Sequence, residues 1–404
     1  MKRNFTILIL ICVLGQFANA QFVWVQKANL PATGRYGSEG FTINNKGYIV
    51  CGNDISLNYY TDLWQYNDTT NAWTQMASMS IAARTVPCVF VVNNKVYVGL
   101  GHTLSNIFND MQEYDPSTNT WATKASFPDT ARYGTASFVI NNKGYVVFGN
   151  EGSSAGPFSN TTWSYTPSTD TWAQVAVCPA NPRYGAIGFS LNNKGYAGFG
   201  YDVSSFYRDF WEYDTLAGWT PKTTYPGNGL GYPTMFFFNN MEIVGTGGDS
   251  SGLNRDFYGY NSTTDTWTAI PSLPLGYQRE AAAGFNISQN AFIATGLDST
   301  SAGRTDLWEL VNTEGINNIT DSKNIISTYP NPASSYFNIN YKLNSSKESF
   351  LLIDETGKVV KTIYLKGMEG SQNINISELD NGIYIWEMIS DRGIFTQGKI
   401  AIIK

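Results

Sequence analysis

Six tryptophans recur along the chain at nearly constant intervals. Trp24, Trp73, Trp121, Trp172, Trp219 and Trp267 stand 49, 48, 51, 47 and 48 residues apart. A period in this range belongs to repeat architectures, in which each unit buries one face against its neighbour. Arg-Tyr-Gly follows eleven residues after three of the tryptophans, at Arg35, Arg132 and Arg183. Arg84 holds the same offset before Thr-Val, Arg279 comes at twelve, and Leu230 stands in the equivalent place of the fifth unit. Each unit continues with an apolar strand such as 136–140, a turn, a second strand such as 145–148 and a variable loop. A third strand then begins at an aspartate, as in Asp62-Leu63-Trp64, Asp209-Phe210-Trp211 and Asp306-Leu307-Trp308.

Four strands in a unit of about 48 residues predict an all-β chain built as a β-propeller. The ends fix the blade number. The last unit supplies three strands and no closing tryptophan, whereas residues 22–26 form a tryptophan strand with no blade of its own. Joining the two gives six complete blades and removes the sheet edges that invite aggregation. The sequence Asn-Asn-Lys-Gly-Tyr occurs at 44–48, 141–145 and 192–196, and at 93–97 with Val96 in place of the glycine. It lies between two strands that must form a hairpin, where Asn and Gly tolerate positive φ, so it reads as a turn built repeatedly rather than as a site.

The Arg-Tyr-Gly triplets, the strand endings Phe148-Gly149 and Phe199-Gly200, the third-strand aspartates and the closing tryptophans resemble Kelch repeats over residues 22–311. The usual Gly-Gly survives only at Gly247-Gly248. Kelch propellers serve many roles, so the resemblance carries fold rather than function.

Two further segments flank the repeat. Met1-Lys2-Arg3, an apolar run over 5–14 and Ala18-Asn19-Ala20 describe a signal peptide at 1–20. The run is too short to span a bilayer, and no transmembrane segment is expected later. Residues 312–324 read as a polar linker, and 325–404 as a small antiparallel β-sandwich (Ig-like). That last stretch resembles the type A C-terminal sorting domain of the type IX secretion system of Bacteroidota. Tyr329-Pro330-Asn331-Pro332, Gly357, Gly382, Tyr384 and the terminal Lys404 carry the resemblance. It implies export via the periplasm to the outer cell surface or the medium, with the secretion machinery and its sortase-like peptidase as partners.

Removing residues 1–20 leaves 24 basic against 32 acidic residues, a net charge of −8. An acidic surface argues against nucleic acid as partner. Three cysteines remain (Cys51, Cys88 and Cys178), their spacing fits no metal motif, and they read as buried small hydrophobes with at most one disulfide.

The hairpins are near-copies, whereas the loops on the opposite, upper face differ in every unit: 53–61, 102–109, 150–160, 201–208, 249–255 and 297–304. That face is therefore expected to meet a ligand, a glycan or a surface protein. Its aromatics, among them Tyr60, Phe158 and Tyr207, either stack on sugar rings or pack the loops, as do Tyr36, Tyr133 and Tyr184 beside the arginines. Two uses are open for Arg35, Arg84, Arg132, Arg183 and Arg279. They tie neighbouring blades through Asp62, Asp110, Asp209, Asp256 or Asp306, or they form a cationic well for an acidic sugar, with Glu39 and Glu280 as acid or base. The second use resembles bacterial N-acetylneuraminate mutarotases, which are six-bladed Kelch propellers.

Other chemistry is limited by residue types. The single histidine, His102, reads as a polar loop residue; it cannot build the two-histidine copper site of galactose-oxidase-type propellers or a histidine zinc site. No Gly-x-Ser-x-Gly elbow, sialidase box or phosphate loop is present, and no metal or cofactor is expected. The chain reads as an exported binding module, with an acidic-sugar enzyme as the alternative and a rigid spacer as a third role.

Overall fold

In the computed structural model the described residues are 22–238, 241–312, 325–342, 349–354, 358–365, 367, 369–390 and 393–404. The expected signal peptide, most of the linker and Gly357 lie outside them. Phe22–Val311 form one unit and the C-terminal residues another.

The first unit is a ring of six four-stranded antiparallel sheets. Blade one runs outward from Glu39–Ile43 through Lys46–Val50 and Leu63–Asn67 to Ala72–Met76. The innermost strands of the next five blades are Cys88–Val92, Ala136–Ile140, Tyr184–Leu191, Thr234–Phe238 and Ala283–Ile287. The outermost strand of blade six is Phe22–Lys27, so the N-terminal strand closes the ring.

The repeated hairpin is a turn, but its residues divide the work differently from the expectation. Only the two asparagines form the loop, with φ of 50° and 58° at Asn44 and Asn45 and similar values in the other copies. The glycine already lies in the second strand and serves packing. A Cβ on Gly47 would stand 2.1 Å from the Phe285 ring of blade six, and Gly144 and Gly195 make the same room for Phe90 and Phe138.

The tryptophans are half-buried wedges at the outer rim rather than fully buried core. Their indoles pack on the blade interior and their Nε1–H groups reach round the ring: Trp73 donates to Ala28 O at 2.8 Å, Trp121 to Ala77 O at 2.7 Å and Trp172 to Ala125 O at 3.0 Å.

The arginines knot five of the six blades. Arg35 meets Asp62 with two bonds of 2.5 and 3.0 Å, and Arg84–Asp110, Arg183–Asp209 and Arg279–Asp306 repeat the pairing. Each pair lies within one blade, which corrects the expectation of side-chain ties between blades. Two pairings also differ from expectation. Arg132 pairs with Asp129 and Glu151 at 2.6 and 2.8 Å, because Thr161 stands where the other blades carry aspartate. Asp256 accepts from Ser272 instead, because its blade has Leu230 in place of arginine.

The inter-blade link runs through the backbone of the same residues. Gly52, Gly101, Gly149, Gly200, Gly247 and Gly296 donate their N–H to the carbonyls of Arg84, Arg132, Arg183, Leu230, Arg279 and Arg35 at 2.7–3.0 Å. The set of six goes completely round the ring. Cys51, Cys88 and Cys178 are free and buried, with Cys51 Sγ 3.3 Å from Met79 Sδ.

The second unit packs a three-stranded sheet (Ile325–Tyr329, Tyr336–Lys342 and Glu369–Asn375) and a four-stranded sheet over a core that includes Phe337, Phe350, Trp386 and Met388. The expected motif residues sit at its strand ends. Asn331 Oδ1 accepts from Ala401 N at 2.9 Å, Tyr384 Oη donates to Asp380 O at 3.0 Å and Lys404 Nζ donates to Ser377 O at 2.6 Å. Pro330, Pro332 and Gly382 are exposed beside them.

Removing one partner of a fully buried ion pair typically costs about 3–5 kcal/mol. Arg279 and Asp306 are both buried, so Arg279→Ala is expected to lower stability by that order in denaturant unfolding. A loss below about 1 kcal/mol, the range of exposed pairs, contradicts the knot.

Candidate functional site

The axis of the propeller is divided by a backbone ring. Gly37, Val86, Gly134, Gly185, Tyr232 and Ala281 occupy one repeat position, and all have positive φ, between 42° and 64°. Their peptides hydrogen-bond from blade to blade: Val86 N to Gly37 O, Gly37 N to Ala281 O, Ala281 N to Tyr232 O, Tyr232 N to Gly185 O and Gly185 N to Gly134 O, at 2.7–3.0 Å. This requirement explains the glycine of Arg-Tyr-Gly, since only glycine takes such φ without strain. Val86, Tyr232 and Ala281 hold it against their own preference, and residues in such strain cluster at functional sites.

Above the ring lies a cavity of about 450 Å³. Tyr36, Tyr133 and Glu280, three of the candidates singled out in the sequence, line it together with Asn53, His102 and Tyr232. Its lining rings Tyr133 and Tyr232 belong to a larger aromatic cluster, in which Tyr133 and Tyr184 stand 5.7 Å apart, Tyr184 and Tyr201 4.2 Å, and Tyr201 and Tyr232 5.9 Å between ring centres. Tyr184, expected at the site, is not among the lining residues. Burial pushes the Tyr133 hydroxyl up to about 12 and that of Tyr232 well above its ordinary value, so both remain protonated donors.

Polar groups complete the lining. Asn53 is buried, donates through Nδ2 to Asp54 O, and leaves its Oδ1 without a donor. His102 lies over Tyr133 at 3.9 Å. Its Nδ1 is 3.0 Å from Thr103 O. A carbonyl can only accept, so that nitrogen carries the proton and Nε2 keeps its lone pair. Burial holds the imidazole below its ordinary 6.5. Glu280 projects where a Cβ on Gly248 would come within 2.6 Å of its Oε2. Its carboxyl is raised by burial.

The remaining expected site residues lie elsewhere. The arginines are buried at 0–1% exposure and paired, so they form no open cationic well. Tyr60 and Tyr207 cover the guanidinium groups of Arg35 and Arg183 at 4.1 and 3.8 Å, and their hydroxyls donate to Asp54 and Asp202. Phe158 stacks on Tyr184 at 5.2 Å and does not line the cavity. Glu39 and Glu280 are separated by the backbone ring. Glu39 lines a lower chamber of about 410 Å³ together with Glu242, which the repeat pattern did not single out.

The comparisons with known proteins divide along the same boundary. Residues 327–404 match the family described as the secretion system C-terminal sorting domain. The tail is a sorting domain. It marks the chain for export by the type IX system, to the cell surface or the medium. A search of curated proteins returned no match. Among solved structures, one described as "Structure of YjhT" is similar with a TM-score of 0.60 and 18% identity, over 70% of this chain and 95% of that one. At that identity the likeness shows the propeller fold alone. Among the described residues no helix is long and apolar enough to cross a membrane.

Burial raises the carboxyls of Glu39 and Glu242 from 4.5 to about 8. A group whose folded value is raised contributes stability that is full below about 4.5 and is lost as the pH climbs to about 8. The propeller is therefore expected to lose stability over that window, and Glu242→Gln to flatten the loss. A parent protein whose unfolding midpoint stays level from about pH 5 to pH 8 contradicts the assignment.

Proposed function

We propose that this protein is a secreted Kelch-type propeller that acts as a binding module for an uncharged glycan, taken into the cavity above the backbone ring. A signal peptide at 1–20 would deliver the chain to the periplasm before the sorting domain takes it across the outer membrane.

One observation carries the choice of ligand. The cavity combines aromatic rings, hydroxyls, an amide and a carboxyl, and no lysine or arginine is among its lining residues. Sugar rings offer apolar faces and hydroxyl edges, which such a wall matches. A carboxylate-bearing sugar would find no cation there, so the preference moves from acidic to neutral sugars.

A second reading, general acid–base chemistry on a bound sugar, is favoured by Glu280 and His102. One is a carboxyl raised by burial, the other an imidazole lowered by burial, and they share the cavity.

Titration calorimetry of the full chain against neutral oligosaccharides, sialic acids and uronic acids tests the proposal. Neutral sugars are expected to bind, and Tyr133→Ala to weaken them on the order of tenfold. Binding confined to the acidic sugars, or unchanged by Tyr133→Ala, rejects it. Turnover that disappears in Glu280→Gln would select the second reading.

A further inference from the structure

Eight carboxylates of the propeller are buried: Asp54, Glu113, Glu212, Glu242, Asp249, Asp298, Asp306 and Glu309. Seven of them accept hydrogen bonds. Asp306 has Arg279, Glu113 has Lys95 and Tyr97, Glu212 has Lys194 and Tyr196, and Glu309 has Lys27 and Asn290. Asp54, Asp249 and Asp298 are capped by their own loops. Glu242, at 5% exposure, has no donor or cation among the described residues. It faces the lower chamber, on the far side of the backbone ring from the proposed glycan cavity.

The same chamber holds a second carboxylate without a partner among the described residues, the half-buried Glu39, and a third unsatisfied group, the buried Oγ1 of Thr135. A protein does not leave a carboxylate buried without a partner at no cost, and the cost falls if a ligand supplies the partner. The ligand must be cationic.

A metal ion does not fit. Hard cations take six or more oxygens, and among the described residues no three His, Cys, Asp or Glu side chains converge as a metal set. The two glutamates sit on blades one and five, with blade six between them. Blades two to five line the rest of the chamber with the apolar side chains Val89, Val139, Ile187, Met235 and Phe237. Two negative groups sharing a chamber with such a lining match a ligand with two positive ends joined by methylenes.

We propose that the lower chamber binds an aliphatic diamine, one ammonium on Glu39, the other on Glu242, with the methylene chain along Val89, Val139 and Met235. With both glutamates ionised in the complex, their protons released to solvent on binding, the charges balance two against two, and no covalent step is involved. Thr135 Oγ1 would accept one of the remaining ammonium hydrogens.

Titration calorimetry of the purified full chain with putrescine and cadaverine, beside butylamine and calcium chloride, tests this. Saturable binding of a diamine is expected, with butylamine weaker by about tenfold or more because it satisfies one glutamate only. Glu39→Gln and Glu242→Gln should each weaken the diamine by about tenfold, since each leaves one ammonium without its anion. No saturable diamine binding overturns the proposal. So does equal binding of butylamine, a comparison made on the parent protein and independent of how the variants fold. Calcium binding in place of the diamines, or diamine affinity kept in both variants, overturns it as well.

Discussion

The propeller depends on one residue position used twice. At the start of five of its six blades an arginine sends its side chain inward to an aspartate or, in blade three, to Asp129 and Glu151. Its backbone carbonyl accepts the glycine N–H of the preceding blade. The side chain fixes the loop within its blade, and the carbonyl fixes the blade to the ring. Blade five shows which half is indispensable. Leu230 has no guanidinium, yet its carbonyl still accepts from Gly200 at 2.7 Å. The ring therefore needs the carbonyl everywhere and the ion pair almost everywhere.

Burying these arginines decides the functional chemistry as much as the fold. A ring of five open cations at the channel mouth would draw carboxylates; a ring of five neutralised ones leaves the field to whatever else lines the axis. What remains is aromatic and without a lysine or arginine above the backbone ring, and acidic below it. Two chambers of similar size thus differ in chemistry while sharing one scaffold. The division comes from six consecutive positive-φ residues in the ring, three of which are glycine.

Much of this was legible in the sequence because repetition writes structural needs six times over. The tryptophan recurs in every blade and the arginine in five of six, the closing strand is written in the two ends of the repeat, and the motif of the sorting domain is equally explicit. The chambers were less legible for the same reason, since a site on the axis is made where the repeat breaks. Tyr232 stands where three blades have glycine, Glu242 where three have glycine, and His102 where others have Asn53, Asn150 or Tyr201. Each departure looks like drift along one chain and acquires meaning only when six blades bring the positions together. Tyr60 and Tyr207 illustrate the converse. They look like ligand aromatics in sequence, and their partners turn out to be Arg35 and Arg183.

The central claim is that the ligand face of this exported propeller is the cation-free upper cavity and that the arginines take no part in it. A crystal structure of the full chain soaked with a neutral oligosaccharide tests that most directly. The account predicts density for a sugar ring against Tyr133, with hydroxyls reaching Asn53 or Glu280, and every arginine still paired with its carboxylate. A sugar bound through an exposed, unpaired Arg132 or Arg183, or seated on the blade rims with the cavity empty, would contradict it.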